Sequence, residues 1–264
     1  MTGAIVFDCV SVQFGPYTAV ADTSLHVADG EFVSIVGPTG CGKSTLLNIA
    51  AGLLEPTTGD ISIYGQPLLG TNRAAGYLFQ QDALMPWRSA LRNVTAGLEY
   101  RRVPFLEARR LGNEWLDRVG LHGHGHRLPH QMSGGMRKRV ALAQTMIMDP
   151  RIILMDEPFS ALDVQTRVLM ENELLALWTA HRKSVLFITH DLEEAISLSD
   201  RVIVLSAGPS TRPIAEFRID LPRPRDVSEV RLTPRFLEVH RMIWSAMRNE
   251  VLKAYAQNQY VLPH

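Results

Sequence analysis

Only two of the 264 residues are cysteines, Cys9 and Cys41, too few for a disulfide scaffold and in keeping with a reducing compartment. No disulfide is expected. The chain carries no surplus of charge either. Its 27 basic residues cancel 27 acidic ones, which removes a general attraction to nucleic acid or anionic lipid and leaves only local patches to bind either. Long hydrophobic runs are also missing: the longest, Leu46 to Leu54, is interrupted by Asn48 and falls far short of the roughly 18–20 residues that a spanning helix needs. No basic stretch followed by an apolar one opens the sequence, so no secretory signal is read and the chain is expected in the cytosol. Internal repeats and low-complexity tracts are absent. What is present, 46% apolar and 20% charged side chains, suits an ordinary globular chain with a sizeable core and excludes disordered and fibrous classes.

Short alternating runs at Ile5 to Val12, Ser24 to Val27 and Phe32 to Val36, separated by Gly-Pro and Asp-Gly turn signals, read as strands. A glycine-rich loop follows, then helical spacing of Leu46, Leu47 and Ala50 within Ser44 to Ala51. From about Asp82 to Pro150 strand signals vanish. Helical segments take over, broken at Pro86, Pro104 and the Gly/His-rich stretch Leu121 to Pro129. Continuous apolar runs at Arg151 to Met155 and Ser184 to Thr189 have the character of strands buried on both faces, with a helix from about Val164 to His181 between them. A last strand is expected at Arg201 to Leu205 and a helix from about Pro234 to Tyr255.

The loop Gly37-Pro38-Thr39-Gly40-Cys41-Gly42-Lys43-Ser44 has the pattern of a nucleotide phosphate loop and stands between an apolar strand and a helix start. Glycines let consecutive amides approach an anion, and the helix dipole adds partial positive charge. Lys43 reaches the β and γ phosphates, Ser44 offers a hydroxyl to Mg²⁺, and Thr45 completes the nucleotide-contacting set. Cys41 is expected as a small loop residue that bound nucleotide shields, not as a nucleophile. Farther on, Arg151 to Glu157 is a strand run ending in two acids, which puts carboxylates at the edge of the sheet where ligands gather. Asp156 is the expected magnesium ligand, and Glu157 the base that activates water against the γ phosphate.

Together these segments resemble the ATP-binding cassette of ABC transporters over at least Ile5 to Leu205. The resemblance implies an α/β fold: a P-loop NTPase (RecA-like) core with an antiparallel β subdomain and a helical insertion subdomain at about 82–150. The cassette would span 1–208, with 209–264 a C-terminal tail. By the same resemblance, Gln80 in Gly76-Tyr77-Leu78-Phe79-Gln80 is the glutamine near Mg²⁺ that senses the membrane partner, so it counts as both catalytic and metal-binding. Met132-Ser133-Gly134-Gly135-Met136 matches the family signature, Ser160-Ala161-Leu162-Asp163 the D-loop, and His190 the switch histidine. Phe14 holds the place of the aromatic that stacks on adenine, with Tyr17 a competitor. Ser133, Gly134 and Gly135 open a helix and so make a second anion site. One chain therefore carries two half-sites, and two copies packed head to tail would close two ATP molecules between them.

Met132, Met136 and Gln144 depart from the usual cassette residues without removing a phosphate donor. Ser133 to Met136, Asp82 to Arg88 and Ile219 to Arg225 are similar to the nitrate/sulfonate/taurine-type importers. That resemblance implies an ATP-hydrolysing subunit, with ATP and Mg²⁺ as cofactors, on the cytoplasmic face of the inner membrane. Its partners would be a second copy, a membrane permease and, indirectly, an extracytoplasmic substrate-binding protein, with no nucleic acid. Pro86-Trp87 is expected to form part of an apolar groove for a permease helix. Leu221 to Arg225 also reads as a stiff linker, and His122, His124 and His126 as a solvated turn. The alternative is a soluble ABC-type ATPase acting on nucleic acid or ribosomes. Against it, the chain has no second cassette, coiled-coil insert or basic stripe. A P-loop kinase or GTPase leaves Ser133 to Gly135 and His190 unexplained.

Overall fold

The structure, a computed structural model, describes residues 3–81 and 83–259; Asp82, one of the residues carrying the importer resemblance, lies outside them. An antiparallel sheet is built from β1 (Ile5–Phe14), β2 (Tyr17–Val27), β4 (Thr58–Ile63) and β5 (Gln66–Pro67), in the order β2-β1-β4-β5. A second sheet has six strands: β3 (Phe32–Val36), β6 (Ala75–Leu78), β7 (Ile152–Asp156), β8 (Ser184–Ile188), β9 (Arg201–Leu205) and β10 (Pro213–Arg218). Their order is β10-β9-β3-β8-β7-β6, parallel except for β10, which runs against β9 at the edge.

The central strands are continuously apolar because both faces of the second sheet are covered. Ile35, Leu154 and Leu186 face α1 (Lys43–Ala50) and the antiparallel sheet. Phe32, Met155 and Phe187 face α5 (Gly134–Met146) and α6 (Val164–His181). Trp178 of α6 meets Phe32 edge-on at 5.8 Å and donates its indole N–H to the Lys183 carbonyl at 2.8 Å. Its truncation would cost about 3–5 kcal/mol through the cavity left behind. Beside this core stands the helical region: α2 (Ala90–Val94), α3 (Ala96–Tyr100), α4 (Phe105–Arg118) and α5.

The structure adds elements the pattern did not signal: β4, β5, β6, β10, α7 (Leu192–Leu198) and α8 (Val227–Val230). The strands are short, half polar or glycine-containing, so alternation has little length in which to show. Residues after 208 pack into the same molecule. Strand β10 continues the larger sheet, and Ile219, Leu221, Phe236, Val239 and Ile243 share a core with Leu192, Val202 and Val204. Helix α9 spans Pro234–Gln259. Leu221 to Arg225 is no linker. Arg225 is 9% exposed and donates to the carbonyls of Ile196, Ser197 and Ser199 at the end of α7, and to those of Ile219 and Leu221. Burial pushes its pKa down to about 10, yet it remains a cation at the negative end of a helix.

Candidate functional site

The carboxyl ends of β3, β6, β7 and β8 open onto one edge of the larger sheet, where a parallel α/β arrangement gathers its ligand groups. After β3 the chain turns through 37–42 into α1. Gly42 caps that helix at φ 101° and Gly40 stands at φ 77°, conformations that glycine adopts without the Cβ penalty. A Cβ at Gly42 would also sit 3.3 Å from the Ala19 carbonyl oxygen. Thr39, Gly40 and Ser44 are exposed, whereas Gly37 is packed against Leu205. Lys43 is 5% exposed, and its ammonium donates to the carbonyls of Gly37 at 2.9 Å and Pro38 at 3.0 Å, which hold the cation inside the loop. The Thr45 amide donates to the Gly42 carbonyl at 3.1 Å, closing the first turn. Cys41 is buried, and burial pushes its thiol pKa up against the pull of Lys43, so it stays protonated and poorly nucleophilic.

Ser44 donates its hydroxyl to Asp156 Oδ1 at 3.0 Å, joining α1 to the end of β7. Burial raises the Asp156 carboxyl pKa; the Ser44 bond opposes that rise and the charge of Glu157 adds to it. Glu157 follows at φ 41°, a left-handed backbone that costs a non-glycine residue about 1–3 kcal/mol and that is fixed here by its N–H donating to the Ile188 carbonyl at 2.9 Å. One oxygen of Glu157, Oε2, gathers two side chains from other strand ends. His190 Nδ1 lies 3.0 Å away and Gln80 Nε2 3.3 Å away. Three strand ends, those of β6, β7 and β8, and the start of α1 thus converge on two adjacent carboxylates. The Ser44 hydroxyl, the Asp156 carboxylate and the Gln80 side-chain oxygen are hard oxygen donors beside a half-buried acid pair. This set fits Mg²⁺, which takes few protein ligands and completes its shell with phosphate and water.

Ser133 caps α5 from an exposed position (φ −65°, ψ 164°), its Oγ accepting from the Met136 N–H at 3.3 Å. A Cβ on Gly135 would meet Thr166 Cγ2 at 2.7 Å, so the start of α5 rests on the start of α6. Asp163 caps α6 by accepting from the Thr166 N–H at 3.0 Å, and that bond holds its exposed carboxyl below the usual range. Among the described residues, Ser133, Gly134, Gly135 and Asp163 share no hydrogen bond or ion pair with Lys43, Asp156, Glu157 or His190. Phe14 and Tyr17 pair across the β1–β2 turn and are 52% and 47% exposed. A Cβ on Gly208 would lie 3.5 Å from the Tyr17 hydroxyl and 3.8 Å from Cys41 Cα, which sets Tyr17 beside the phosphate loop.

The structure adds Lys138 to this constellation. From α5 its ammonium reaches the carbonyls of Gln80 at 2.5 Å and Phe79 at 3.3 Å, fastening the Gln80 loop to the helix that Ser133 opens. Between Arg137 and Arg139 nothing in the sequence marks it as buried. Next to the same loop lies a groove of about 540 Å³ whose lining includes Tyr77, Phe79, Ala83, Gly97, Arg101 and Met148. Trp87 is 76% exposed and lies outside the lining of that groove. Asn93, fully buried, holds the preceding turn through Met85, Arg88 and Ser89, and so presents the indole outward.

A family model described as ABC transporter matches residues 20–160. The chain belongs to the ABC transporter family. It is an ATP-binding cassette and an ATPase. A nitrate import ATP-binding protein of Synechococcus elongatus is 40% identical over 245 residues, covering 90% of this chain and 89% of that protein. A taurine import ATP-binding protein of Pelagibacter ubique is 39% identical over 244 residues, 89% and 90% of the two chains. Among solved structures, a dimeric ATP-binding cassette in a post-hydrolysis state bound to ADP and Pi is similar with a TM-score of 0.73 and 31% identity, over 83% of this chain and 100% of that one. Among the described residues no helix is long and apolar enough to cross a membrane.

Proposed function

We propose that two copies of this cassette hydrolyse MgATP to drive uptake of a small anion such as nitrate, a sulfonate or taurine through the permease. An extracytoplasmic binding protein delivers the anion, and the cassette works at the cytoplasmic face of the inner membrane. The importer relatives support the cargo class. The observation that carries the chemistry is the double hold on Glu157 Oε2 by Gln80 and His190, beside an Asp156 tied to Ser44.

In this reading the loop amides and Lys43 bind the triphosphate, and an exposed aromatic, Phe14 or Tyr17, stacks on the base. Ser44, Asp156 and Gln80 would hold a magnesium ion, which would supply positive charge against that building on the phosphate oxygens. Glu157 accepts the proton of the attacking water, and His190 orients that water and the carboxylate. Ser133, Gly134 and Gly135 of one copy cap the phosphate held by Lys43 of the other, with Asp163 beside them, which explains why these groups lie apart within one chain. Glu157→Gln should keep ATP binding, abolish turnover and make the chain dimerise with ATP. Monomers in sedimentation of the ATP-loaded variant would refute the shared site.

A further inference from the structure

Three features stand outside the site just described: the apolar flank of α9, a groove between His190 and α9, and a buried set of acids and arginines beneath His190. The last carries an inference. The residues on either side of His190 are both fixed from below. Thr189 Oγ1 donates to Glu194 Oε2 at 2.6 Å and accepts from the Asp191 N–H at 3.0 Å. Asp191 Oδ2 accepts from Arg167 Nη1 at 3.2 Å, and Arg167 Nη2 donates to the Leu162 carbonyl, also at 3.2 Å, just before Asp163. One guanidinium therefore ties the His190 loop to the Asp163 loop. Arg167 Nε completes the set 3.7 Å from Glu194 Oε1, whose side chain is 3% exposed.

One helical turn after Arg167 stands Glu171, whose side chain is 0% exposed. Residues four apart on a helix are neighbours, so Glu171 competes with Asp191 and the Leu162 carbonyl for Arg167. The competitor is satisfied from elsewhere. Arg231, at the end of α8, donates to Glu171 Oε2 at 2.8 Å, and its Nε also bonds Ser197 Oγ at 3.2 Å and lies 3.7 Å from Glu193. Arg167 Nε and Glu171 Oε1, both buried and one turn apart on the same helix, make no hydrogen bond among the described residues. A buried carboxylate stripped of its cation draws the next one in reach or takes up a proton.

We infer that Arg231 is a positioning residue for hydrolysis: by occupying Glu171 it leaves Arg167 free to hold the His190 loop against the Asp163 loop. The segment after residue 208 thus acts on turnover without touching nucleotide. This rests on the reading of Glu157 and His190 as the hydrolytic pair. The test is steady-state turnover and equilibrium ATP binding of the full chain. Arg231→Met should lower kcat about tenfold or more with ATP affinity within about twofold, because Glu171 then captures Arg167. Arg231→Lys, which keeps the charge, should recover most of the loss. Removing the competitor as well, in Glu171→Gln/Arg231→Met, should restore turnover, an outcome that mere loss of packing would not produce. If Arg231→Met does not fold, Arg231→Gln, which removes the cation facing Glu171 but keeps a polar side chain, carries the same expectation. Unchanged kcat in the single variant, or a double variant as slow as the single one with a normal melting curve, overturns the inference. Turnover retained by His190→Ala would instead overturn the reading of the site, and this inference with it.

Discussion

The two helix starts proposed to bind phosphate, those of α1 and α5, differ in what each can do alone. At α1 a nearly buried lysine, two left-handed glycines and the exposed Ser44 surround one point, and the strand-end carboxylates stand beside it. At α5 the capping Ser133 is exposed, with neither Asp156 nor Glu157 in reach of a hydrogen bond. The first site has what a triphosphate and a divalent cation need. The second has only helix amides and a hydroxyl, enough to cap a phosphate held by another surface. Completeness on one side and incompleteness on the other is what an interface shared by two copies requires.

The strongest blow to this contrast falls on chemistry at the first site. Glu157→Gln should reduce phosphate release by on the order of 10²–10⁴-fold while equilibrium ATP binding persists; release kinetics and binding titrations check both. Lys43→Ala comes next. Losing a charge-assisted bond of about 1.5–3 kcal/mol should weaken ATP binding about 10–100-fold in titration of the isolated chain. Gly135→Ala acts on the other site alone. With its methyl group driven toward Thr166, ATP binding by the monomer should be unchanged, and ATP-dependent dimerisation in a Glu157→Gln background should weaken about tenfold, or 1.4 kcal/mol. If that variant loses ATP affinity as the monomer, the two starts are not separable. Smallest is Trp87→Ala. At an exposed position it should shift stability by no more than about 0.5 kcal/mol and spare isolated turnover, yet weaken co-purification with the permease.

What could be read along the chain was local. Gly37 to Ser44 carries its own turn chemistry, and Arg151 to Glu157 its own strand and acids, so both site and core strands were legible before any contact was known. The helix Val164–His181 and the strand Arg201–Leu205 likewise coincide with their patterns. Strand β6, four residues with a glycine, and β10, an edge strand of alternating exposure, are too short or too mixed to stand out from turns. Arg225 looked like part of a proline-stiffened linker because its five carbonyl partners lie four to 29 residues away in sequence.

The sequence by itself determined the phosphate loop, the acid pair, the signature segment and the family they resemble, because each is a run of neighbouring residues whose backbone and side chains act together. Only the tertiary structure decided that Gln80 and His190 meet on one oxygen of Glu157, that Lys138 is buried under the Gln80 loop, and that Arg231 answers Glu171. Those are pairings between polar groups far apart along the chain. Which partner a buried charge takes depends on the distances that packing leaves, and spacing in sequence does not encode them.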